Sequence, residues 1–227
     1  MAIICRKYNL LFIMTPRTAC TAIGELLCER FGGEFIPSGD ILDARGLILV
    51  DKKHSTLSDL IKHNILTTEE ATSLLKVAAV RNPFDSLVSL YFKQRSKYQP
   101  LLGDPASWVN RLPGYAKNMR YARTHSFNGW VLRVCYRKVI KRLLGFRPSM
   151  FSDHTRGVDM VIRYENIEAD LTEVFKKAGM ASRADIPVVN RTDERGNSDY
   201  RSFYSRVAEL AVTLAYSGDL QMYDYRF

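Results

Sequence analysis

Apolar residues fall along this chain in two rhythms. Short continuous apolar runs at residues 10–14, 47–50 and 77–80 predict strands, the first suited to burial on both faces, and residues 160–163 predict a further strand. Elsewhere the apolar positions recur at helical spacing. Ile23, Leu26, Leu27 and Phe31 mark a helix over 21–31, ended by Gly32-Gly33. Thr56 and Asp59 open a second helical pattern, and Thr67 with Glu70 reads as a capping box for a helix running through Lys76. Pro83 suits the first turn of a helix that follows the third run. Helices are further predicted over 131–144, over 170–178 with Gly179 ending it, and as one long helix over 200–216. Strands that alternate with helices predict an α/β fold with a mostly parallel central sheet flanked by helices. No repeat, low-complexity tract or linker interrupts the 227 residues, which read as a single domain.

Charge changes this picture in one place. The net charge is +9, and residues 111–147 hold ten Lys and Arg with no Asp or Glu. That window alone exceeds the surplus of the whole chain, so basicity is a local property of a helical region spanning roughly residues 99–147. One side of its main helix is apolar (Val131, Leu132, Cys135, Val139, Leu143, Leu144), and Arg133, Arg137 and Lys141 line another. Such a helix suits a solvated face packed on a core, a wall that attracts an acidic acceptor, or an anionic membrane surface. No apolar run reaches the roughly 18 residues of a membrane span. Cys5, Cys20, Cys28 and Cys135 form no CxxC pair or Cys/His metal spacing, which predicts reduced thiols, no metal site and a cytoplasmic protein.

Two segments carry candidate chemistry. After the first run comes Pro16-Arg17-Thr18-Ala19-Cys20-Thr21-Ala22 at the entry to a helix. Strand, tight turn and helix is how α/β folds bind phosphate, through turn N–H groups and the positive helix end. The Walker spacing GxxxxGK[ST] is missing. The second segment, VAAVRNPFDSLVSLY at 77–91, places Arg81 at the carboxyl end of a strand and Ser89 on the next helix. Ligands of open α/β sheets bind beyond the carboxyl ends of strands, and Arg81 would hold a phosphate bidentately.

PRTACT after a strand and VRNPFDSLVSLY after a later one resemble the two nucleotide signatures of sulfotransferases, enzymes that use 3′-phosphoadenosine 5′-phosphosulfate (PAPS). The nearest likeness is to carbohydrate-type members with a PKTAGT loop. KHSTLSDL, VDMVIRYENI, PVVNRTDERGNSDYRSFY and DLQMYDYRF are similar to later family segments in the same order; only the basic middle, about 99–147, has no counterpart. The resemblance implies a P-loop-like three-layer domain with a helical basic insertion. It also implies that residues 16–22 hold the 5′-phosphosulfate and that Arg81 and Ser89 hold the 3′-phosphate. His54, after the 47–50 strand and so expected at the sheet edge of Arg17, becomes the candidate base. Arg195-Gly196 lie in a polar loop from which Arg195 either folds over the 3′-phosphate or stays a solvated charge. Tyr164 and Glu165 either face the adenine or ribose or serve in capping and core packing, and Asn190 is open in the same way.

Two departures from the family pattern stand out. Cys20 replaces the usual Gly, which removes backbone freedom from the loop. Arg17 replaces Lys, so it can stabilise charge on a leaving oxygen but not donate a proton to it. His63, His125 and His154 read as structural or surface residues. The implied acceptor is a small molecule or glycan, anionic in character, with nucleic acid excluded for want of a signature and oligomeric state left open. A kinase-like phosphotransferase is the competing enzyme; it lacks the Walker Lys and an acidic Mg²⁺ pair. An inactive PAPS-binding homologue is the other alternative.

Overall fold

A computed structural model of the chain describes residues 2–180, 196 and 198–227. The elements in chain order are β1 (Ala2–Cys5), β2 (Leu10–Ile13), α1 (Cys20–Phe31), β3 (Glu34–Ile36), β4 (Ile41–Leu42), β5 (Ile48–Val50), α2 (Leu57–Lys62), α3 (Thr68–Ser73) and β6 (Leu75–Val80). They continue as α4 (Pro83–Phe92), α5 (Trp108–Arg111), α6 (Tyr115–Thr124), α7 (Phe127–Leu143), α8 (Ser152–Thr155), β7 (Met160–Arg163), α9 (Ile167–Lys177), α10 (Arg206–Ala215) and α11 (Ser217–Met222). Contacts divide the chain into two compact units, Met1–Arg81 with Phe151–Arg191, and Asn82–Met150 with Thr192–Phe227. No helix among the described residues is long and apolar enough to cross a membrane.

The first unit is built on a five-stranded sheet ordered β3-β1-β2-β6-β7. β2, β6 and β7 pair in parallel, while β1 is antiparallel to both β2 and β3. Four strands therefore share one direction, and β1 alone is reversed. The period of two sorts their side chains. Ile3, Leu10, Phe12, Val77 and Ala79 meet α1 and α9 through Ile23, Leu27, Leu171 and Phe175. Ala2, Ile4, Leu11, Ile13 and Ala78 meet Leu60 of α2, together with Leu66 and Leu74. The result is three layers with a sheet buried on both faces, as the continuous apolar runs require.

The second unit is helical. Phe84, Leu87 and Tyr91 of α4 pack with Phe127, Trp130 and Val131 of α7 and with Ala208, Val212 and Ala215 of α10. The indole N–H of Trp130 donates to Gln94, 3.1 Å away, so the largest buried side chain leaves no orphaned donor.

Several expectations need correction. Residues 48–50 do not join the main sheet; β5 pairs with β4 in a separate two-stranded sheet. The helix expected through Lys76 stops at Ser73, because the next residues are claimed by a neighbouring strand. Lys76 accepts from the Asp159 N–H at 2.8 Å and donates its own N–H to the Asp159 carboxylate at 2.7 Å. The long helix expected over 200–216 is a 3-10 turn (Tyr200–Phe203) and then α10, each with its own cap. Asp199 accepts from the Arg201 N–H and Ser205 from the Ala208 N–H. β1 and β3 were not foreseen; each is only three or four residues long.

Candidate functional site

The chemistry of the first unit gathers where β2, β6 and β7 end. Pairing of Ile13 with Ala78 and of Val80 with Arg163 brings these strands to a common carboxyl edge. The loop of residues 14–19 leaves β2 there and turns into α1. Its turn is closed by Thr18, whose buried hydroxyl donates to the Thr15 carbonyl at 2.9 Å. Arg17 (φ 69) and Ala19 (φ 57) both adopt left-handed backbone, which L residues enter only at a cost of about 1–2 kcal/mol each.

Ala19 is the N-cap of α1 and offers no side chain to the helix. The first backbone bond of that end is Ile23 N–H to Ala19 O at 3.2 Å. The N–H groups of Cys20, Thr21 and Ala22 therefore point out of the helix end, which carries its positive dipole. Nearby in sequence, the Thr15 hydroxyl is fully buried and meets no protein partner. Unclaimed donors at a positive helix end fit an oxyanion. Cys20 is the first residue inside the helix and packs into the core. The expected loss of freedom at Cys20 is thus misplaced: the special backbone falls on Arg17 and Ala19. Burial pushes the Cys20 thiol pKa up, so it is not a ready nucleophile.

Arg81 follows β6 directly and is buried, at 8% exposure. Its Nη1–H donates to the Arg17 carbonyl at 3.1 Å, and its guanidinium lies 4.0 Å from the centre of the Tyr164 ring. Tyr164 holds the same position after β7 that Arg81 holds after β6. One cation is thus fixed against the 14–19 loop and stacked on an aromatic face.

His54 sits in the turn after β5, closed by its N–H on the Asp51 carbonyl at 3.2 Å. Although β5 lies outside the main sheet, the ring reaches the end of β2, with Nδ1 2.8 Å from the Met14 carbonyl. A carbonyl can only accept, so Nδ1 carries the proton and the Nε2 lone pair is left open. Burial lowers the His54 pKa to about 3, against the opposing effect of the Met14 bond. The imidazole is neutral at physiological pH.

His154 of α8 is a member of this group that sequence reasoning missed. Its Nε2 lies 3.1 Å from the His54 carbonyl and must donate to it, and burial lowers its pKa as well. A lone His in Ser-Asp-His-Thr gives no signal of that tertiary contact. Ser89 is buried on α4 in the second unit, and Gly196 is exposed in a turn with φ 59. Glu165 is exposed, and Arg195 and Asn190 lie outside the described residues. The second unit also contains an open groove of about 790 Å³ lined by Gln99, Leu102, Arg120, Arg123 and Thr124. No cluster of His, Cys, Asp or Glu suited to a metal occurs among the described residues.

The carboxyl edge of this α/β sheet thus carries an uncapped helix end, a buried arginine and a neutral histidine, groups whose chemistry suits holding an oxyanion and accepting a proton. The chain belongs to the sulfotransferase family: the model described as Sulfotransferase family matches residues 1–226. Searches of curated proteins and of solved structures return no match.

Proposed function

We propose that this chain is a PAPS-dependent sulfotransferase that transfers the sulfuryl group to a hydroxyl of an anionic acceptor, a carbohydrate or a small metabolite. The observation that carries the reading is that the segment following β2 both enters the uncapped α1 end and, at Met14, holds the Nδ1–H of His54, which leaves Nε2 open. In this reading the N–H groups of residues 20–22 and the Thr15 hydroxyl hold the 5′-phosphosulfate. Arg81 and Ser89 hold the 3′-phosphate, with Tyr164 keeping the Arg81 guanidinium in place, and Gly196 and Arg195 complete that end. His54 removes the acceptor's hydroxyl proton as the new S–O bond forms and the bond from sulfur to the 5′-phosphate oxygen breaks. Arg17 offsets the charge left on that oxygen; its pKa is too high for it to donate a proton there. A negative ligand beside His54 would raise its pKa toward the range a base needs. Arg120 and Arg123 would attract the acceptor's anionic part, consistent with the carbohydrate-type likeness. Four free cysteines suit a reducing, cytoplasmic setting.

Thermal melting with 3′-phosphoadenosine 5′-phosphate (PAP), ATP or duplex DNA tests the reading. Ligand at 100 times its Kd adds about 2.7 kcal/mol, or roughly 5–10 °C for a chain of this size. The PAP shift should survive His54→Ala, which loses turnover, and should shrink in Arg81→Ala. Stabilisation by ATP alone would favour a kinase-like enzyme, and by DNA alone a nucleic-acid binder. A PAP shift without turnover in the unmodified chain would identify an inactive homologue.

A further inference from the structure

The end of α7 leaves the core it starts in. Phe127, Trp130, Val131 and Cys135 are buried, whereas every residue from Ile140 to Arg147 is exposed. Four large apolar side chains stand out in this stretch, Ile140 at 40%, Leu143 at 75%, Leu144 at 70% and Phe146 at 63%, and Tyr136 at 65% precedes them on the same helix. Tyr136, Ile140 and Leu143 repeat at four and three residues and form one stripe. The helix does not fray past them. Gly145 (φ 86) closes it, with Gly145 N–H on Arg142 O at 3.1 Å and Phe146 N–H on Lys141 O at 3.0 Å. That closure sets Leu144 and Phe146 beyond the end of the stripe.

Beside the stripe run Arg137 and Lys141, with Arg147 after the turn. None of the three has an acidic partner among the described residues. No Asp or Glu occurs between residues 111 and 147. An exposed apolar cluster of this kind marks an interaction surface.

We propose that the end of α7 is a peripheral anchor for an anionic membrane surface, with Leu143, Leu144 and Phe146 entering the interface and Arg137, Lys141 and Arg147 on the headgroups. Charge selects this occupant. A second copy would bring the same all-basic window against itself, and phosphate contacts of a nucleic acid would leave the leucines and Phe146 unused. Anionic headgroups over acyl chains satisfy both kinds of side chain. Tyr136 supplies an amphipathic ring at the boundary between them.

Co-sedimentation of the full chain with vesicles tests the proposal. The protein should sediment with equal parts phosphatidylcholine and phosphatidylglycerol, stay in solution with phosphatidylcholine alone, and be released as salt rises. Arg137→Gln/Lys141→Gln should weaken partitioning roughly 25-fold, about fivefold per charge. Leu143→Ser/Leu144→Ser/Phe146→Ser should weaken it at least about tenfold. An unchanged melting temperature shows that each variant is folded. No binding to mixed vesicles, or binding that ignores both variants, overturns the proposal. So does a wild-type dimer split by the triple variant in light scattering, which would make this face a contact between copies.

Discussion

The His54 ring is tied to the Met14 carbonyl from one nitrogen, and its own carbonyl is held by His154. Because its folded pKa is about 3 and an unfolded histidine titrates near 6.5, the unfolded chain binds more protons between those values. Its contribution to stability is complete above about pH 6.5 and is lost as pH falls toward about 3. His54→Asn keeps an N–H for Met14 and removes the titration. Between about pH 7 and pH 5 the wild type should lose about 1–2 kcal/mol more than this variant, after allowance for the partial exposure of the ring. The downward shift at His154 leaves a residual slope of the same sign. Denaturant titrations at the two pH values measure both, and parallel losses would refute the neutral-His54 assignment. The sequence singles out His54 by the strand before it, yet that strand lies outside the main sheet, and the ring reaches the end of β2 through Met14 instead. A ring-to-carbonyl bond across 40 residues leaves no periodic trace in the chain.

Elements that bury both faces or carry their own caps were legible; those fixed by distant partners were not. Runs of apolar residues marked β2, β6 and β7, and both predicted cap positions hold, with Thr56–Asp59 and Thr67–Glu70 each forming a reciprocal box. β1 is a four-residue strand whose antiparallel place depends on β2 and β3, and Lys76 looks helical until Asp159 claims it. The entry to α1 shows the same limit at one-residue precision. The family pattern drew attention to Cys20, while the backbone places its strain one residue earlier, at Ala19. Ala19→Gly should therefore stabilise the protein by about 0.5–1 kcal/mol, a rise of roughly 1–4 °C. Cys20→Gly should do the opposite, by about 1–2 kcal/mol, because it empties a packed core position and places Gly inside the helix. Paired melting curves decide the matter. Stabilisation by Cys20→Gly would shift the whole loop assignment by one residue.

Across the whole molecule, charge is partitioned more sharply than hydrophobicity. Each unit has its own apolar core, but ten of 33 Lys and Arg fall in residues 111–147 with none of the 24 acids, leaving the rest of the chain at 23 minus 24, or −1. A surface of one sign raises the local concentration of anions, whereas a nearly neutral remainder does not. Binding to a polyanion should then depend on where charge is removed. Arg120→Gln/Arg123→Gln/Arg137→Gln/Lys141→Gln takes four exposed charges from the basic window, and Arg30→Gln/Lys52→Gln/Lys62→Gln/Arg156→Gln takes four exposed charges from the first unit. Both variants have the same net charge. The first should elute from a heparin column at clearly lower salt than the wild type, since affinity falls with salt in proportion to the contacts made. The second should elute close to the wild type. Equal shifts would mean that net charge alone governs binding, and that the basic window confers no preference for an anionic acceptor.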